Sequence, residues 1–311
     1  MNSIDLHCDT ALRLYHEKLK LNESICKVDI KKLKKAKALA QVFATFIELD
    51  YVDNPYKEFK RIYSNLINEI EANPKDIVIV RNLNELDKAR NDGKIGAFLS
   101  IEEGEVLEGK IERVKEMYDL GIRFITLTWN FPNSIGYPNV GFENKDKGLT
   151  ERGKEIVIEM ERLGIIPDCS HLSDAGFYDL IDICKKPFVA THSNARGVTN
   201  HSRNLTDDMI VKLANKGGVM GLNFCAPFLG DKKVPTIEDM INHIKYTKNV
   251  GGIDVLALGT DFDGIENEVE IENIGEIDKL SYALGKNGFS DDEIDKIFFG
   301  NVKRVMKECL K

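Results

Sequence analysis

"IDLHCDT", at residues 4–10, decides between the two folds that fit this chain. The segment begins as an apolar, strand-like run and ends with a histidine and an aspartate two residues apart. A doubly wound open sheet usually has a glycine-rich phosphate-binding turn after its first strand. This chain has His7 and Asp9 at that place instead. The segment therefore favours a barrel over an open, nucleotide-binding sheet.

Further apolar runs follow the first one, separated from each other by polar turns and amphipathic stretches. They are short and rich in β-branched and aromatic residues, as buried strands are. Right-handed strand–helix–strand units repeated eight times close into a barrel. We therefore predict an α/β fold, a (β/α)8 TIM-type barrel in which residues 1–311 form a single domain. The eight predicted strands span residues 3–8, 41–48, 95–101, 123–129, 165–170, 187–192, 218–224 and 254–260.

Helix signals lie between these runs. Asn54 followed by Pro55 is typical of an N-cap and a first helical position. Gly164 is placed to end a helix that begins after Thr150. Two further helices are predicted to start with capping boxes, one formed by Thr236 with Asp239 and one by Ser290 with Glu293.

The composition argues against several classes of partner. The net charge is −8 and the pI is about 5.4, so no domain-wide basic face is expected. We therefore predict neither nucleic acid nor a membrane surface as a partner. The six cysteines form no C-x-x-C pair. We find neither a signal-peptide pattern nor an apolar run of membrane-spanning length. The sequence predicts a cytoplasmic protein.

Polar residues that can bind metals lie at the carboxyl ends of five of the eight predicted strands. Because active sites of such barrels form at the carboxyl ends of the strands, these residues are expected to converge. They are His7 and Asp9 at the end of the first strand, Glu102 and Glu103 at the third, His171 at the fifth, His192 at the sixth, and Asp261 and Asp263 at the eighth.

The number of these residues predicts two metal ions rather than one. Side chains alternate along a strand, so His7 and Asp9 share one face and Cys8 points to the helix layer. One metal needs about four ligands, and the set exceeds that number. Two metals that share a bridging carboxylate would account for the larger number of ligands. From the pattern alone, the bridge is either Glu102 or Glu103. The three other histidines, His16, His201 and His243, are predicted not to be ligands.

The sequence resembles a known family, the membrane (renal) dipeptidases, which are zinc enzymes with amidohydrolase-like barrels. The resemblance runs nearly from end to end. It is carried, in order, by "DLHCDT", "LSIEEGE", "TLTWN", "IPDCSHLS", "VATHSNAR", "SRNLTDD" and "LGTDFDG". It implies a zinc metallopeptidase that hydrolyses small dipeptides, including those with a C-terminal D-residue, with a hydroxide bridging two zinc ions. It also suggests a homodimer.

The resemblance implies a role for each metal-binding residue. His7 and Asp9 would bind one zinc, and His171 and His192 would bind the other. Glu102 would bridge the two ions. Manganese or cobalt would also suit histidine and carboxylate ligands, so the choice of zinc rests on the family.

The resemblance also implies residues that contact the substrate. Arg203 matches the arginine that binds the terminal carboxylate of the dipeptide. Asp261 matches the carboxylate beside the scissile bond, where it transfers a proton or binds the substrate ammonium. Trp129 stands where many members have a histidine that contacts the substrate carbonyl oxygen. Its indole has a single N–H donor, so either it gives a weaker bond, or a zinc ion polarises the carbonyl alone, or the substrate differs. The alternative role of the ring is to fill the barrel mouth.

Three other functions compete with this prediction. A hydrolase of another C–N bond, such as that of an N-acyl amino acid, would keep the metals and Arg203. A catalytically silent barrel would lack a metal ligand, and every ligand position is filled. A barrel with a carbamylated lysine as the bridge is disfavoured, because the fourth strand ends at Trp129 with no lysine nearby.

Overall fold

The computed structural model describes residues 2–311 and contains nine parallel strands. Eight of them form a closed ring, because β2 pairs with both β1 and β4, and β9 pairs with β1 and β8. The predicted (β/α)8 barrel is confirmed. The strands are β1 (Ser3–Asp5), β2 (Ala38–Phe46), β3 (Ile77–Ile79), β4 (Ile95–Glu102), β5 (Ile122–Thr126), β6 (Ile166–Asp168), β7 (Val189–Ala190), β8 (Val219–Leu222) and β9 (Leu256–Leu258).

Strand β3 was not predicted, and it lies outside the ring. It pairs with residues 95–97 at the start of β4, whereas β5 pairs with the same strand further along, from Leu99 to Glu102. β3 has only three residues and is half-buried. A strand this short gives almost no periodic signal in the sequence.

Helices surround the ring, and the predicted caps are present. The Asn54 side chain accepts the Lys57 N–H, and Gly164 ends its helix with φ of 98°. Both capping boxes are formed. The helices are α1 (Thr10–His16), α2 (Ile30–Lys35), α3 (Pro55–Glu71), α4 (Leu83–Asn91), α5 (Ile111–Asp119), α6 (Glu151–Leu163), α7 (Asp174–Ile183), α8 (Asp207–Asn215), α9 (Ala226–Leu229), α10 (Ile237–Gly251), α11 (Asp278–Lys286), α12 (Asp291–Asp295) and α13 (Asn301–Cys309).

Two apolar clusters hold these layers together. The larger one lies between the strands and the helices, and the smaller one fills the barrel interior. In the interior, Phe98 and Phe124 meet edge to face with ring centroids 6.2 Å apart. Val302 and Met306 of α13 join the same cluster from below. Burying each such side chain contributes roughly 1.5–3 kcal/mol. The interior is therefore packed, and the carboxyl ends of the strands form its open end.

Among residues 2–311, no helix is both long and apolar enough to span a bilayer.

Candidate active site

The end of the first strand brings an imidazole and two carboxylates together. His7 Nε2 lies 3.0 Å from Glu102 Oε2 and 3.3 Å from Asp9 Oδ2. Cys8, between the two ligands, packs in the outer cluster and donates its thiol to the Val42 carbonyl. The predicted common face of His7 and Asp9 is therefore present.

The other oxygen of Glu102 faces two more imidazoles. Glu102 Oε1 lies 3.1 Å from His171 Nε2 and 3.5 Å from His192 Nε2. The two imidazole Nε2 atoms are 3.1 Å apart. Glu102 is thus the carboxylate between the two histidine groups, and all three of these side chains are buried.

Glu103, the other candidate for the bridge, turns away from this centre. Its φ of 99° is in the left-handed region, and its carboxylate accepts the Trp129 N–H at 3.0 Å and the Asn133 side-chain amide at 2.5 Å. Glu103 therefore holds the loop that follows β5.

The residues at this centre fit divalent cations. Asp9 Oδ1 is buried and has no hydrogen-bond partner among residues 2–311, although buried polar atoms are normally paired. Ligand atoms lie within 4.8 Å of one another in two groups, His7 with Glu102 and His192, and His7 with Asp9 and Asp261. Imidazole and carboxylate ligands suit zinc, manganese and cobalt.

Arg203 and Asp261 lie beside the metal ligands. Arg203 is buried and donates from Nη2 to the His192 carbonyl at 3.2 Å, while its Nε and Nη1 have no partner within residues 2–311. Asp261 Oδ1 is 3.8 Å from His7 Nε2, and Asp261 Oδ2 accepts from the Asn223 amide at 2.9 Å. The site therefore has a free cationic donor pair and a free carboxylate oxygen.

These groups line a cavity of about 530 Å³ at the barrel mouth. Trp129, Cys225 and Phe228 line it as well. The Trp129 ring packs edge-on against Phe46, with centroids 4.8 Å apart, and lies 6.2 Å from the His171 ring. A buried polar centre in an aromatic-walled cavity is typical of a small-molecule site.

The sequence model of the family described as membrane dipeptidase, peptidase family M19, matches residues 1–311. The chain belongs to the membrane dipeptidase family. An uncharacterized dipeptidase of Schizosaccharomyces pombe is 30% identical over 298 residues, which cover 90% of this chain and 71% of that protein. A second uncharacterized dipeptidase of that organism is 33% identical over 216 residues, which cover 68% of this chain and 53% of that protein.

Solved structures show the same fold at lower identity. Dipeptidase AC, a metallopeptidase of family M19, superimposes with a TM-score of 0.92 at 24% identity, covering 99% of this chain and 98% of that one. A metallopeptidase from Rhodobacter sphaeroides, liganded with a phosphinate mimic of L-Ala-D-Ala, gives 0.91 at 23% identity, covering 99% of both chains. Family membership makes this chain a metal-dependent dipeptidase.

The ligand side chains of the dipeptidase differ in proton affinity. Burial, together with Arg203, lowers the pKa of His171 to about 4. Burial and the neighbouring His7 hold the pKa of His192 well below its ordinary value. Burial raises the pKa of Asp9 to about 8. Burial opposes the charged form of His7, but the Glu102 and Asp9 carboxylates outweigh it and hold its pKa well above the ordinary value.

Hydrogen bonds fix the orientation of two imidazoles in the dipeptidase. His171 Nδ1 lies 3.0 Å from the Asn130 side-chain oxygen, and His192 Nδ1 lies 2.8 Å from the Thr191 hydroxyl oxygen. The Thr191 hydroxyl donates to Asp168 Oδ2 at 2.5 Å, so it accepts from His192 Nδ1–H. Both rings thus keep the proton on Nδ1 and present the Nε2 lone pair to the centre, as metal ligands require.

Sequence reasoning missed these orienting residues. Asn130, Asp168 and Thr191 stand within the quoted motifs "TLTWN", "IPDCSHLS" and "VATHSNAR", within three positions of residues that were given roles. Their closeness to Trp129, His171 and His192 in the chain was the available signal, because a residue adjacent to a ligand often supports it.

The backbone of the dipeptidase is strained at two of the residues whose side chains face the centre. His171 has φ of 68° and Asp261 has φ of 62°, both in the left-handed region. Such a conformation costs a non-glycine residue roughly 1–3 kcal/mol and is concentrated at functional sites.

The three histidines that were predicted not to be ligands lie outside the centre. His16 is exposed. His201 stacks near Phe228, with ring centroids 4.6 Å apart, and its Nδ1 accepts the Arg203 N–H at 3.1 Å. His243 is fully buried in α10, where its Nδ1 accepts the Ala195 N–H at 3.2 Å.

Proposed function

We propose that this dipeptidase hydrolyses the peptide bond of free dipeptides at a centre for two zinc ions. His7 and Asp9 would hold one ion, His171 and His192 the other, and Glu102 both. The observation that carries the proposal is the position of Glu102, whose two oxygens face different ligand groups at 3.0 and 3.1 Å. When bound, the ions would lower the pKa of water so that it attacks at neutral pH, and would polarise the scissile carbonyl.

Arg203 would select substrates with a free C-terminal carboxylate. Its Nε and Nη1 are buried without partners within residues 2–311, and an unpaired buried charge is costly. A buried guanidinium group with unpaired N–H donors can bind a carboxylate through charge-assisted hydrogen bonds. Because the anchor lies beside the metal ligands, the carboxylate must belong to the residue next to the scissile bond. This arrangement limits the substrate to two residues.

Asp261 would transfer the proton from the attacking water to the leaving amine. Burial raises the pKa of Asp261 to about 6, which lets the same group accept and release a proton near neutral pH. The Asn223 amide fixes one carboxylate oxygen and leaves the other towards His7. Trp129 would contact the substrate through its ring, as one wall of the cavity.

Several finer assignments belong to the same proposal. The Rhodobacter sphaeroides relative binds a mimic of L-Ala-D-Ala, so we extend the substrates of this chain to dipeptides with a C-terminal D-residue. We also propose zinc rather than manganese or cobalt, a cytoplasmic location, a homodimer, and a single domain formed by residues 1–311.

A substrate panel tests this function. Chelator-stripped and zinc-loaded protein would be assayed with L-L dipeptides, L-D dipeptides and their N-acetylated forms. We expect zinc-dependent cleavage of the free dipeptides only. Cleavage of the acetylated forms alone would replace the proposal with hydrolysis of N-acyl amino acids.

The carboxylate anchor has its own test. Arg203→Ala is expected to raise KM for dipeptides by about tenfold to a hundredfold, because hydrogen bonds between charged groups are lost. The kcat value is expected to change less. An unchanged KM would show that the anchor lies elsewhere.

A further inference from the structure

A second cavity, of about 560 Å³, adjoins the catalytic cavity. The two share Leu12 of α1 and Phe46 at the end of β2 as lining residues. Arg203 lines the catalytic cavity and a third cavity of about 380 Å³, but it does not line this one. The proposed carboxylate anchor and the second cavity therefore lie on different sides of the catalytic cavity.

We propose that the second cavity receives the side chain of the N-terminal residue of the dipeptide, and that it favours a long cationic side chain, that of lysine or arginine. The inference rests on the proposed function, because Arg203 must bind the C-terminal carboxylate for the N-terminal residue to extend towards Leu12 and Phe46.

The walls of the second cavity suit the methylene stem of such a side chain. Its apolar lining consists of Leu12, Phe46, Ile47, Val52 and Ile62. Lysine and arginine side chains bury their stems along apolar surfaces and keep the charged end at a polar rim. A short side chain would leave most of this cavity to water.

The charges at the rim favour a cation. The Glu58 carboxylate is already paired with Arg61 at 2.8 Å. Glu48 lies two residues after the end of β2, is half-buried, and forms neither an ion pair nor a side-chain hydrogen bond within the described chain. Asp53 is exposed and also unpaired there, whereas Lys57 is the remaining unpaired cation of the lining.

Glu48 is the carboxylate best placed to recognise the charge. Burial, and then the neighbouring Asp50, raise the pKa of Glu48, which means that its charged form lacks solvation. A partly desolvated carboxylate gains more from a cation than a fully exposed one does. The ammonium or guanidinium group of the substrate would supply that partner.

Three dipeptides separate the contributions of stem and charge. Zinc-loaded protein would be assayed with Ala-Ala, norleucyl-Ala and Lys-Ala, because norleucine has the lysine stem without its ammonium. We expect kcat/KM to rise by about tenfold from Ala-Ala to norleucyl-Ala. We expect a further rise of about fivefold from norleucyl-Ala to Lys-Ala. Equal values for the three substrates would overturn the inference.

A pair of variants assigns the charge effect to one residue. Glu48→Gln is expected to lower the ratio of kcat/KM for Lys-Ala over norleucyl-Ala to about one. Glu71→Gln removes the same charge from the exposed C-terminal end of α3, away from the cavity, and should leave the ratio unchanged. A Glu48→Lys variant should prefer Glu-Ala to Lys-Ala.

The possible failures can be told apart. A ratio that falls equally in Glu48→Gln and Glu71→Gln would show a general electrostatic effect and overturn the role of Glu48. Cleavage of Ala-Ala without discrimination among N-terminal residues would overturn the inference and keep the proposed function. Cleavage of none of the dipeptides would overturn both.

Discussion

The two sides of Glu102 are built in different ways. The acidic side consists of His7 and Asp9, two residues apart at one strand end, with Asp261 3.8 Å from His7. The imidazole side consists of His171 and His192, which follow different strands and whose pKa values are lowered in part by the charge of Arg203. One carboxylate thus joins a ligand group that contains further carboxylates to a group of neutral imidazoles that lies near a cation.

This difference separates two ways of holding a metal. The acidic side attracts a cation through charge, so proton competition and carboxylate position should control its affinity. The imidazole side has no carboxylate of its own and depends on ring orientation, which Asn130 and Thr191 fix. Each side should therefore respond to a different perturbation, and only Glu102 should affect both.

The largest effect is expected from Glu102→Gln. The amide keeps the shape but loses the charge that both sides share, so activity should fall by more than about a thousandfold. Metal analysis should show weaker binding of both ions. A normal thermal unfolding midpoint of the metal-free variant would control for folding. One ion bound as tightly as in the parent protein would contradict the shared role.

Gly264→Ala should damage the acidic side alone. A Cβ at this position would lie 2.1 Å from Asp9 Oδ2, so the carboxylate would have to move. We expect about a hundredfold weaker binding of one ion and unchanged binding of the other, measured by competition with a chelating dye. Gly285→Ala is the matched control, because its Cβ would meet only Ile294 at 3.8 Å. Equally weakened binding of both ions would refute the separation into an acidic side and an imidazole side.

Thr191→Val should damage the imidazole side alone. Valine keeps the volume of threonine but breaks the link between Asp168 and His192 Nδ1, so that side should lose about tenfold to a hundredfold in metal affinity. Thr191→Ser keeps the hydroxyl and should restore most of it. A serine variant as weak as the valine variant would mean that the methyl packing matters, rather than the hydrogen bonds.

The smallest effect is a difference in pH dependence. In the metal-free protein the raised pKa values of Asp9, about 8, and of His7 mean that protons must leave the acidic side when a cation binds. Affinity there should rise with pH up to about pH 8, by up to about tenfold per unit for each proton released. His171, with a pKa of about 4, has already lost its proton near neutral pH. The metal affinity of the imidazole side should therefore not change with pH above pH 6.

Calorimetric titration in buffers of different ionisation enthalpy would measure this proton release for each ion. Equal proton release by the two ions at pH 7 would contradict the expected difference between the two sides.

The sequence predicted the features that depend on short-range order. The two-residue spacing of His7 and Asp9 predicted their meeting, and strand ends predicted which side chains reach the mouth. The link between His171 and Asn130 joins residues 41 positions apart, and Thr191 reaches Asp168 across 23 positions. Such contacts depend on how neighbouring strands are aligned, which no local pattern encodes. The second cavity is likewise a product of packing between α1, β2 and α3.

Helix α13 closes the end of the barrel opposite the active site, and this closure has a kinetic consequence. Val302 and Met306 fill the lower interior together with Phe98 and Phe124, so a substrate has one way in and its products have the same way out. The released C-terminal amino acid keeps the carboxylate that Arg203 is proposed to bind, and it must leave before another dipeptide can enter. Turnover should therefore slow as that amino acid accumulates, by competitive product inhibition.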